Sequence, residues 1–248
     1  MATGPTMVET DGPHEPGDPG APSVDHARSS DPDVLVICRA NVARSPLLRV
    51  RLEFEAARRV GAGTVNIASA GMSARFGDPA AEGSKRVAAG WGLSLEDHAS
   101  LPIMYAPFAT APVNLVMSRD HLRALLARNP EVAPRTFTVP EFVGCIRRLE
   151  TEGRLPRFDP RALVDETASG ATGGDHRSAE ALRQALRWHL SKVVALADAR
   201  RPSGLRRRRH LDVPDPLREG PGQFEALGER FEADAVSIAD ALFGPLPD

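Results

Sequence analysis

The sequence predicts an α/β fold in three layers, in which a four-stranded parallel sheet carries helices on both faces. Four short apolar, β-favouring runs alternate with segments of helical periodicity, which is the order that builds a parallel sheet. The first run, DVLVIC at 33–38, is almost continuously apolar, as a strand buried on both faces should be. The 42% hydrophobic content of the 248 residues is enough for one core of ordinary size.

The elements follow one another in a regular order. After the strand at 33–38, SPLLRVRLEFEAARRV at 45–60 places its apolar side chains on one helical face. TVNIASAG at 64–71 predicts a second strand. PAAEGSKRVAAGWG at 79–92 predicts a helix that its glycines weaken. A third strand at 111–118 and a helix at 119–129 then precede a short fourth strand, RTFTV at 135–139.

Two long amphipathic helices are predicted toward the C-terminus, at 177–201 and 223–243. The Gly- and Thr-rich stretch TASGATGGDH at 167–176 predicts a flexible loop before the first of them. The run RRRRH at 206–210 is interpreted as a solvated arginine-rich loop, with an electropositive rim for acidic partners as the alternative.

Composition divides the chain into a tail and one domain. Residues 1–31 are rich in Pro, Gly and Asp and bury too little apolar surface to offset their ordering entropy, which predicts a disordered tail. Residues 32–248 are expected to form the domain, with an inserted flexible segment around 145–210.

Charge and cysteine content exclude several classes of protein. A formal net charge of −2 gives no indication of a nucleic-acid partner or a membrane surface. No apolar run is long enough to span a membrane, and the N-terminus lacks the pattern of a signal peptide. The two cysteines, Cys38 and Cys145, form no disulfide framework, which predicts a reducing, cytoplasmic location. The oligomeric state is not predicted.

The junction VLVICRANVARSP, at 34–46, predicts an anion site. Cys38 ends the first strand, and ligands of open α/β sheets bind at the carboxyl ends of strands. Ser45 is a suitable N-cap, and Pro46 suits a first helical turn. Backbone N–H groups of the loop and of the helix entrance would then point at one site, an arrangement that binds phosphate.

The same junction predicts nucleophilic chemistry. A positive field favours the thiolate of Cys38, which is the reactive form of a cysteine. Arg44 can donate to two phosphoryl oxygens at once. The alternative is a buried structural cysteine, since Cys-x5-Arg alone is a weak signal in a chain with so many arginines. The specific signal is the full order of strand, Cys, five-residue loop, Arg, Ser and Pro.

This junction resembles the phosphate loop of the low molecular weight protein tyrosine phosphatase family, an apolar strand followed by V-C-x-G-N-x-C-R-S-P. The family's loop glycine is replaced by Ala40 and its second cysteine by Ala43, and a positive φ at Ala40 would cost about 1 kcal/mol. The matching positions are Cys38, Asn41, Arg44, Ser45 and Pro46. The loop residues expected to bind the phosphate are Arg39, Ala40, Asn41, Val42, Ala43 and Ser45.

The resemblance implies a flavodoxin-like fold with the phosphate loop after the first strand. It implies a cysteine-dependent, metal-independent phosphatase that hydrolyses phosphomonoesters through a phosphocysteine intermediate and needs no cofactor. Protein phosphotyrosine is the expected substrate, and the expected partners are phosphorylated proteins or small phosphoesters.

The family's general acid is the aspartate of an Asp-Pro pair near the C-terminus. HLDVPDPLREG at 210–220 supplies Asp215, which is preferred to Asp212 because the VPDP context resembles that of the family. A carboxylic acid here would protonate the leaving group and then accept a proton from the hydrolytic water. The other Asp-Pro pairs are interpreted as turns; they begin at Asp31, Asp78 and Asp159.

Two further positions resemble the family's supporting network. Ser69, in SAG at the end of the second strand, and His98, in EDHAS, would hold the loop. The alternatives are a strand-end turn for Ser69 and a surface histidine for His98. Leu217 and Arg218 stand where phosphotyrosine-selective members have aromatic pocket walls.

Two other functions remain open at this point. An arsenate reductase that uses a small-molecule thiol would need only Cys38. A non-catalytic phosphate-binding protein would need only an intact loop.

Overall fold

The computed structural model describes residues 31–160, 174–201, 211–220 and 222–247. Its strands are β1 Val34–Cys38, β2 Ile67–Gly71, β3 Val113–Val116 and β4 Thr136–Thr138. Its α-helices are α1 Arg44–Val60, α2 Glu82–Gly90, α3 Arg119–Leu126, α4 Val139–Thr151, α5 Gly174–Asp198, α6 Pro216–Glu219 and α7 Gln223–Phe243. Two 3₁₀ helices lie at Ile103–Tyr105 and Pro130–Arg135.

All four strands are parallel, and their order in the sheet is β2-β1-β3-β4. Val34 is in register with Ile67 on one side and with Val113 on the other. The chain first winds from β1 outward to β2 and then crosses to β3 on the opposite side of β1. The crevice at the carboxyl ends of β1 and β3 is therefore the topological switch point, where open α/β sheets bind ligands.

The sheet is covered on both faces, which confirms the predicted three-layer fold. Val34 and Val36 pack into a large apolar core with residues from α1, α2, α4, α5 and α7. Leu35 and Ile37 face a smaller core with α3 and the segment around the 3₁₀ helices. This alternation is the two-residue period of a strand, and β1 is buried on both sides.

Helix α4 was not expected from the sequence. It begins with a capping box in which Thr138 and Glu141 satisfy each other's backbone N–H groups. Phe142, Ile146 and Leu149 then recur at helical spacing and are buried. The helix follows β4 directly and begins with the β-branched residue Val139, so the local sequence continues the strand pattern and does not indicate a helix.

The segment 145–210, predicted as a flexible insertion, contains the end of α4 and the whole of α5. Within the stretch 167–176, predicted as a loop, Gly174–His176 already belong to α5. Its earlier part, the arginine run at 206–210 and the tail at 1–30 lie outside the described residues.

Several predicted elements are shorter in the structure, because their first residues make other bonds. Asn66, predicted in β2, donates its backbone N–H to Asp33. Ala81, predicted in α2, donates its N–H to the carbonyl of Val42 and so ties this segment to the loop after β1. No helix in the described part of the chain is both long and apolar enough to cross a membrane.

Candidate active site

Cys38 is the last residue of β1 and is buried at the switch point. Its Sγ accepts a hydrogen bond from the backbone N–H of Asn41 at 3.2 Å and one from the hydroxyl of Ser45 at 3.0 Å. Both donors place partial positive charge against the sulfur.

Ser45 does not cap α1, contrary to the sequence interpretation. The helix begins one residue earlier, its N-cap is Ala43, and no side chain caps it. Ser45 therefore lies in the first turn, where its hydroxyl donates a hydrogen bond to Cys38 and not to the helix backbone. The uncapped N–H groups of that turn and the positive end of the helix dipole supply the partial positive charge that binding an anion beside the sulfur would require.

Asn41 holds the loop in an unusual conformation. Its φ is 55°, and it is the sole non-glycine residue with positive φ in the described part of the chain. The strained position is therefore Asn41 and not Ala40. An asparagine tolerates the left-handed region better than most residues. Its side chain makes three bonds, donating to Ser45 and Ser69 at 2.9 Å each and accepting from the N–H of Leu101 at 2.8 Å.

Ser69 and His98, the two supporting residues that the resemblance implies, each form a hydrogen bond with Asn41. Ser69 ends the chain of hydrogen bonds that runs from β2 through Asn41 to Ser45 and Cys38. His98 Nε2 donates to the carbonyl of Asn41 at 2.6 Å. Burial lowers the pKa of His98, although its bond to Asn41 acts in the opposite direction. A neutral imidazole is therefore favoured at neutral pH.

The end of β2 lies directly against the loop. Met72 and Ser73 donate their N–H groups to the carbonyls of Cys38 and Arg39, at 2.9 and 2.8 Å. A Cβ on Gly71 would lie 2.8 Å from both the carbonyl of Arg39 and the N–H of Asn41. Glycine is thus required here by close approach, a role that the sequence analysis did not identify.

Arg44 and Asp215 meet across the site. Arg44 Nη2 contacts Asp215 Oδ2 at 2.9 Å, and Nη1 donates to the carbonyl of Val213 at 3.1 Å. The segment that carries Asp215 is fixed because Val213 donates its N–H to the carbonyl of Met117, just after β3. Arg44 itself is buried.

Asp212, the other carboxylate considered, is held elsewhere. It accepts from the backbone N–H of Arg119 and pairs with its guanidinium, both at 2.8 Å. Burial alone would raise the pKa of Asp212, but the bonds from Arg119 outweigh it and the pKa is lowered. Asp212 does not line the pocket. Its bonds to Arg119 hold the segment that carries Asp215 against the start of α3.

The site opens into a pocket of about 220 Å³. Its walls contain no aromatic side chain from the described residues. Cys38 and Arg44 are buried at its base, whereas Leu217 and the side chain of Arg218 are 56% and 64% exposed at its mouth. The lining residues are Cys38, Arg39, Ala40, Val42, Ala43, Arg44, Asp215, Leu217 and Arg218.

His121, on α3, is a neighbour of the site that the sequence analysis overlooked. Its Nδ1 is buried and has no hydrogen-bond partner among the described residues. Burial and then the charge of Arg44 lower its pKa to about 4, against the weaker influence of Asp120, Asp215 and Asp212. Nothing in the local sequence distinguishes this histidine, because its neighbours come from distant segments.

Comparison with known proteins gives one consistent result. The family model for the low molecular weight phosphotyrosine protein phosphatases matches residues 33–156, from β1 to the end of α4. The match stops before Asp215.

Two curated relatives bear family names. The chain is 32% identical over 104 residues to a probable low molecular weight protein-tyrosine-phosphatase, AmsI of Erwinia amylovora, covering 42% of this chain and 68% of AmsI. It is 33% identical over 108 residues to the low molecular weight protein-tyrosine-phosphatase Etp of Escherichia coli K12, covering 42% and 66%. The matched part thus spans about two thirds of each relative.

Solved structures match over more of the chain. The tyrosine phosphatase Wzb from Escherichia coli K30, crystallised with sulphate, superposes with a TM-score of 0.50 at 20% identity, over 84% of this chain and 95% of Wzb. YfkJ from Bacillus subtilis gives a TM-score of 0.52 at 14% identity, over 85% and 94%. At these identities the likeness concerns the fold.

Proposed function

Because the chain belongs to the low molecular weight phosphotyrosine protein phosphatase family, a family of cysteine-based phosphoric monoester hydrolases, we propose that it hydrolyses phosphomonoesters in two steps. In this proposal Cys38 is the nucleophile, Arg44 binds the phosphoryl group and Asp215 is the general acid and base. No metal ion takes part.

The observation that carries the proposal is the convergence of these three side chains on one pocket. Cys38 ends β1, Arg44 begins α1, and Asp215 lies 171 residues after Arg44. A phosphate dianion seated on the loop would contact the guanidinium of Arg44 and compete with Asp215 for it. Seating the substrate would thus release the carboxyl group that the reaction needs.

The first step transfers the phosphoryl group to sulfur. The thiolate of Cys38 attacks phosphorus, an S–P bond forms, and the P–O bond to the leaving group breaks. Arg44 and the loop N–H groups stabilise the charge on the equatorial oxygens. Asp215 donates its proton to the departing oxygen, so that an alcohol or phenol leaves instead of an alkoxide or phenoxide.

The second step returns the enzyme to its starting state. Water attacks the phosphocysteine, and the ionised Asp215 accepts a proton from it. The S–P bond breaks, inorganic phosphate leaves, and the thiolate is regenerated with the help of Ser45 and the Asn41 N–H. The network of Ser69 and His98 around Asn41 would hold the loop through both steps.

Protein phosphotyrosine is proposed as the substrate class because the curated relatives carry protein-tyrosine-phosphatase names. The arsenate reductase alternative is not favoured, since the matched family and these relatives are phosphatases.

The experiment is hydrolysis of p-nitrophenyl phosphate in the presence of EDTA. We expect wild-type turnover, no turnover for Cys38→Ser, and a kcat lower by about 10²–10⁴-fold for Asp215→Asn. Asp120→Asn, which breaks an exposed ion pair with Arg123 on α3, is the matched control, and its kcat should stay within a few-fold of wild type. An inert wild type, or a Cys38→Ser variant that retains activity, would contradict the proposal.

A further inference from the structure

The mouth of the pocket carries two arginines that the proposed chemistry does not use. The phosphoryl group is bound by Arg44 and the loop N–H groups at the buried base. Arg39 and Arg218 also line the pocket, and both are exposed. A phosphorus atom in contact with Cys38 would direct the remainder of its substrate outward, past these two side chains.

Neither arginine has a close charge partner among the residues that the structure describes. Arg39 makes no ion pair or side-chain hydrogen bond with any residue in the described ranges. Arg218 lies 3.9 Å from Asp215 through Nε, in an exposed and long ion pair that binds it weakly. Asp215 also has the closer partner Arg44, at 2.9 Å. Two positive charges are thus available where the leaving group would lie.

The rest of the mouth is apolar and has no aromatic side chain in its described lining on which a substrate ring could stack. Ala40, Val42, Ala43 and Leu217 supply its apolar surface. With no aromatic side chain in the described lining, an aromatic leaving group gains little stacking energy. Charge is therefore the feature by which this mouth can select among phosphomonoesters.

We propose that Arg39 and Arg218 form a second anion subsite, an inference that rests on the proposed function. The preferred substrates then carry a carboxylate or a second phosphate beside the phosphomonoester. The anion comes either from an acidic residue that flanks the phosphorylated side chain of a peptide or from the same small molecule. Attraction across a wet pocket mouth predicts a preference of about threefold to tenfold at low ionic strength. The preference should decline in 0.5 M NaCl, where screening acts over a few ångströms.

Two matched pairs of substrates distinguish the sources. The first pair is a phosphotyrosine peptide with glutamates on both sides and the same peptide with glutamines. The second pair is 3-phosphoglycerate and glycerol 3-phosphate, which differ by a carboxylate in place of a hydroxymethyl group. The readout is kcat/KM from release of inorganic phosphate, and p-nitrophenyl phosphate is measured alongside.

The decisive quantity is the ratio of kcat/KM between the acidic and neutral members of each pair. We expect the ratio to exceed three in at least one pair for wild type and to fall toward one in the double variant Arg39→Gln, Arg218→Gln. Arg183→Gln is the control, because this exposed arginine on α5 lies far from the pocket. Its charge interacts with Asp33, at the amino end of β1 and opposite the site. This variant should leave the ratio unchanged.

The outcomes separate this inference from the proposed function. Selectivity in the peptide pair alone would assign the subsite to acidic phosphoproteins, and selectivity in the small-molecule pair alone would assign it to phosphorylated metabolites. Turnover of p-nitrophenyl phosphate with ratios near one, or ratios that the double variant does not change, would overturn the subsite and leave the phosphatase intact. A wild type inert toward all substrates would overturn both.

Discussion

At the scale of single residues, Asn41 organises the site. Its backbone N–H donates to Cys38, and its carbonyl accepts from His98. Its side-chain amide donates to Ser45 and Ser69 and accepts from the N–H of Leu101. Its left-handed backbone turns the loop, so that one residue joins β1, β2 and the segment near residue 100. Sequence reasoning predicted the position from the loop pattern, although the pattern could not give the bonds.

Ser45→Ala tests the hydroxyl that faces the sulfur. Removing a donor 3.0 Å from Cys38 Sγ should lower kcat for p-nitrophenyl phosphate by about tenfold to a hundredfold, because a bond to a charged group is lost at the reacting atom. Ser191→Ala, which removes a hydroxyl from the exposed face of α5, is the control and should have no effect on kcat. Wild-type kcat in Ser45→Ala would show that the bond to sulfur is dispensable.

His121 makes stability sensitive to acid. Its folded-state pKa of about 4 lies below the value of about 6.5 expected in the unfolded chain. Between these pH values the unfolded state binds more protons than the folded state. The contribution of His121 to the free energy of unfolding is therefore fully present above pH 6.5 and is lost as the pH falls toward 4.

The expected loss at His121 between pH 7 and pH 5 is about 1–2 kcal/mol, after allowing for its partial exposure. Urea unfolding at both pH values measures it. His121→Gln should reduce the difference without abolishing it, because burial also lowers the pKa of His98 and His189. An unchanged pH dependence in His121→Gln would show that this histidine does not contribute.

At the scale of elements, the contact between the end of β2 and the phosphate loop sets the position of Cys38. The two parallel strands are in register up to Cys38 and Gly71, and backbone bonds continue beyond them to Met72 and Ser73. The loop is therefore supported by backbone atoms of β2 and of the two residues that follow it.

Gly71→Ala should damage this support. The new methyl group would lie 2.8 Å from two backbone atoms of the loop, which must then shift. A displacement near 1 Å at a catalytic group can lower kcat by about a hundredfold. Gly144→Ala is the control, since its Cβ would meet open space on the exposed face of α4 and should raise helix stability. Full activity in Gly71→Ala would mean that the loop accommodates the methyl group without cost.

The packing of α1 against α7 includes a buried ionic cluster. Glu55 is fully buried between Arg51 and Arg59, and Arg59 also pairs with Asp240 on α7 at 2.5 Å. Since α1 carries Arg44 at its first position, this cluster orients the helix that presents the proposed phosphate-binding residue.

Glu55→Ala should destabilise the fold by about 3 kcal/mol, because it leaves two arginines in a buried site without their shared partner. The measurement is urea unfolding at neutral pH. Glu180→Ala, which breaks an exposed pair with Arg183 on α5, should cost less than about 0.5 kcal/mol. Equal losses in the two variants would contradict the assignment of the cluster as a buried one.

At the scale of the whole molecule, the two cysteines lie in different environments: Cys38 lines the pocket, and Cys145 does not. Cys145 lies buried on α4, and burial, assisted by the charge of Glu141, raises its pKa to about 11. It therefore stays protonated and is a poor nucleophile at neutral pH. Ala43, which lines the pocket beside Cys38, offers no second thiol.

Peroxide should consequently inactivate the enzyme with poor recovery. Oxidised Cys38 has no adjacent thiol to trap it as a disulfide, so excess peroxide carries it to the sulfinic acid, which thiols do not reduce. The measurement is activity after peroxide and then dithiothreitol, in wild type and in Ala43→Cys, where recovery should improve. Full recovery of wild type through a Cys38–Cys145 disulfide, identified by mass spectrometry, would refute the prediction.

The sequence by itself determined the sheet, its covering helices and the junction at 34–46. These depend on periodicity and on spacing within a few residues, and the distance from Cys38 to Arg44 is set by one loop because α1 begins at Arg44. It also indicated Asn41, Ser69 and His98, through the resemblance of their local motifs. It overlooked α4, whose helical period begins immediately after a strand without an intervening turn signal.

Only the tertiary structure shows which arginine holds each of the two aspartates and what lines the pocket mouth. Asp212 and Asp215 are three residues apart in similar sequence, and their roles separate because Arg119 takes one and Arg44 meets the other. Gly71, His121 and the juxtaposition of Arg39 with Arg218 likewise depend on segments far apart in the chain. Such contacts arise from packing across the sheet, and local propensity carries no information about them.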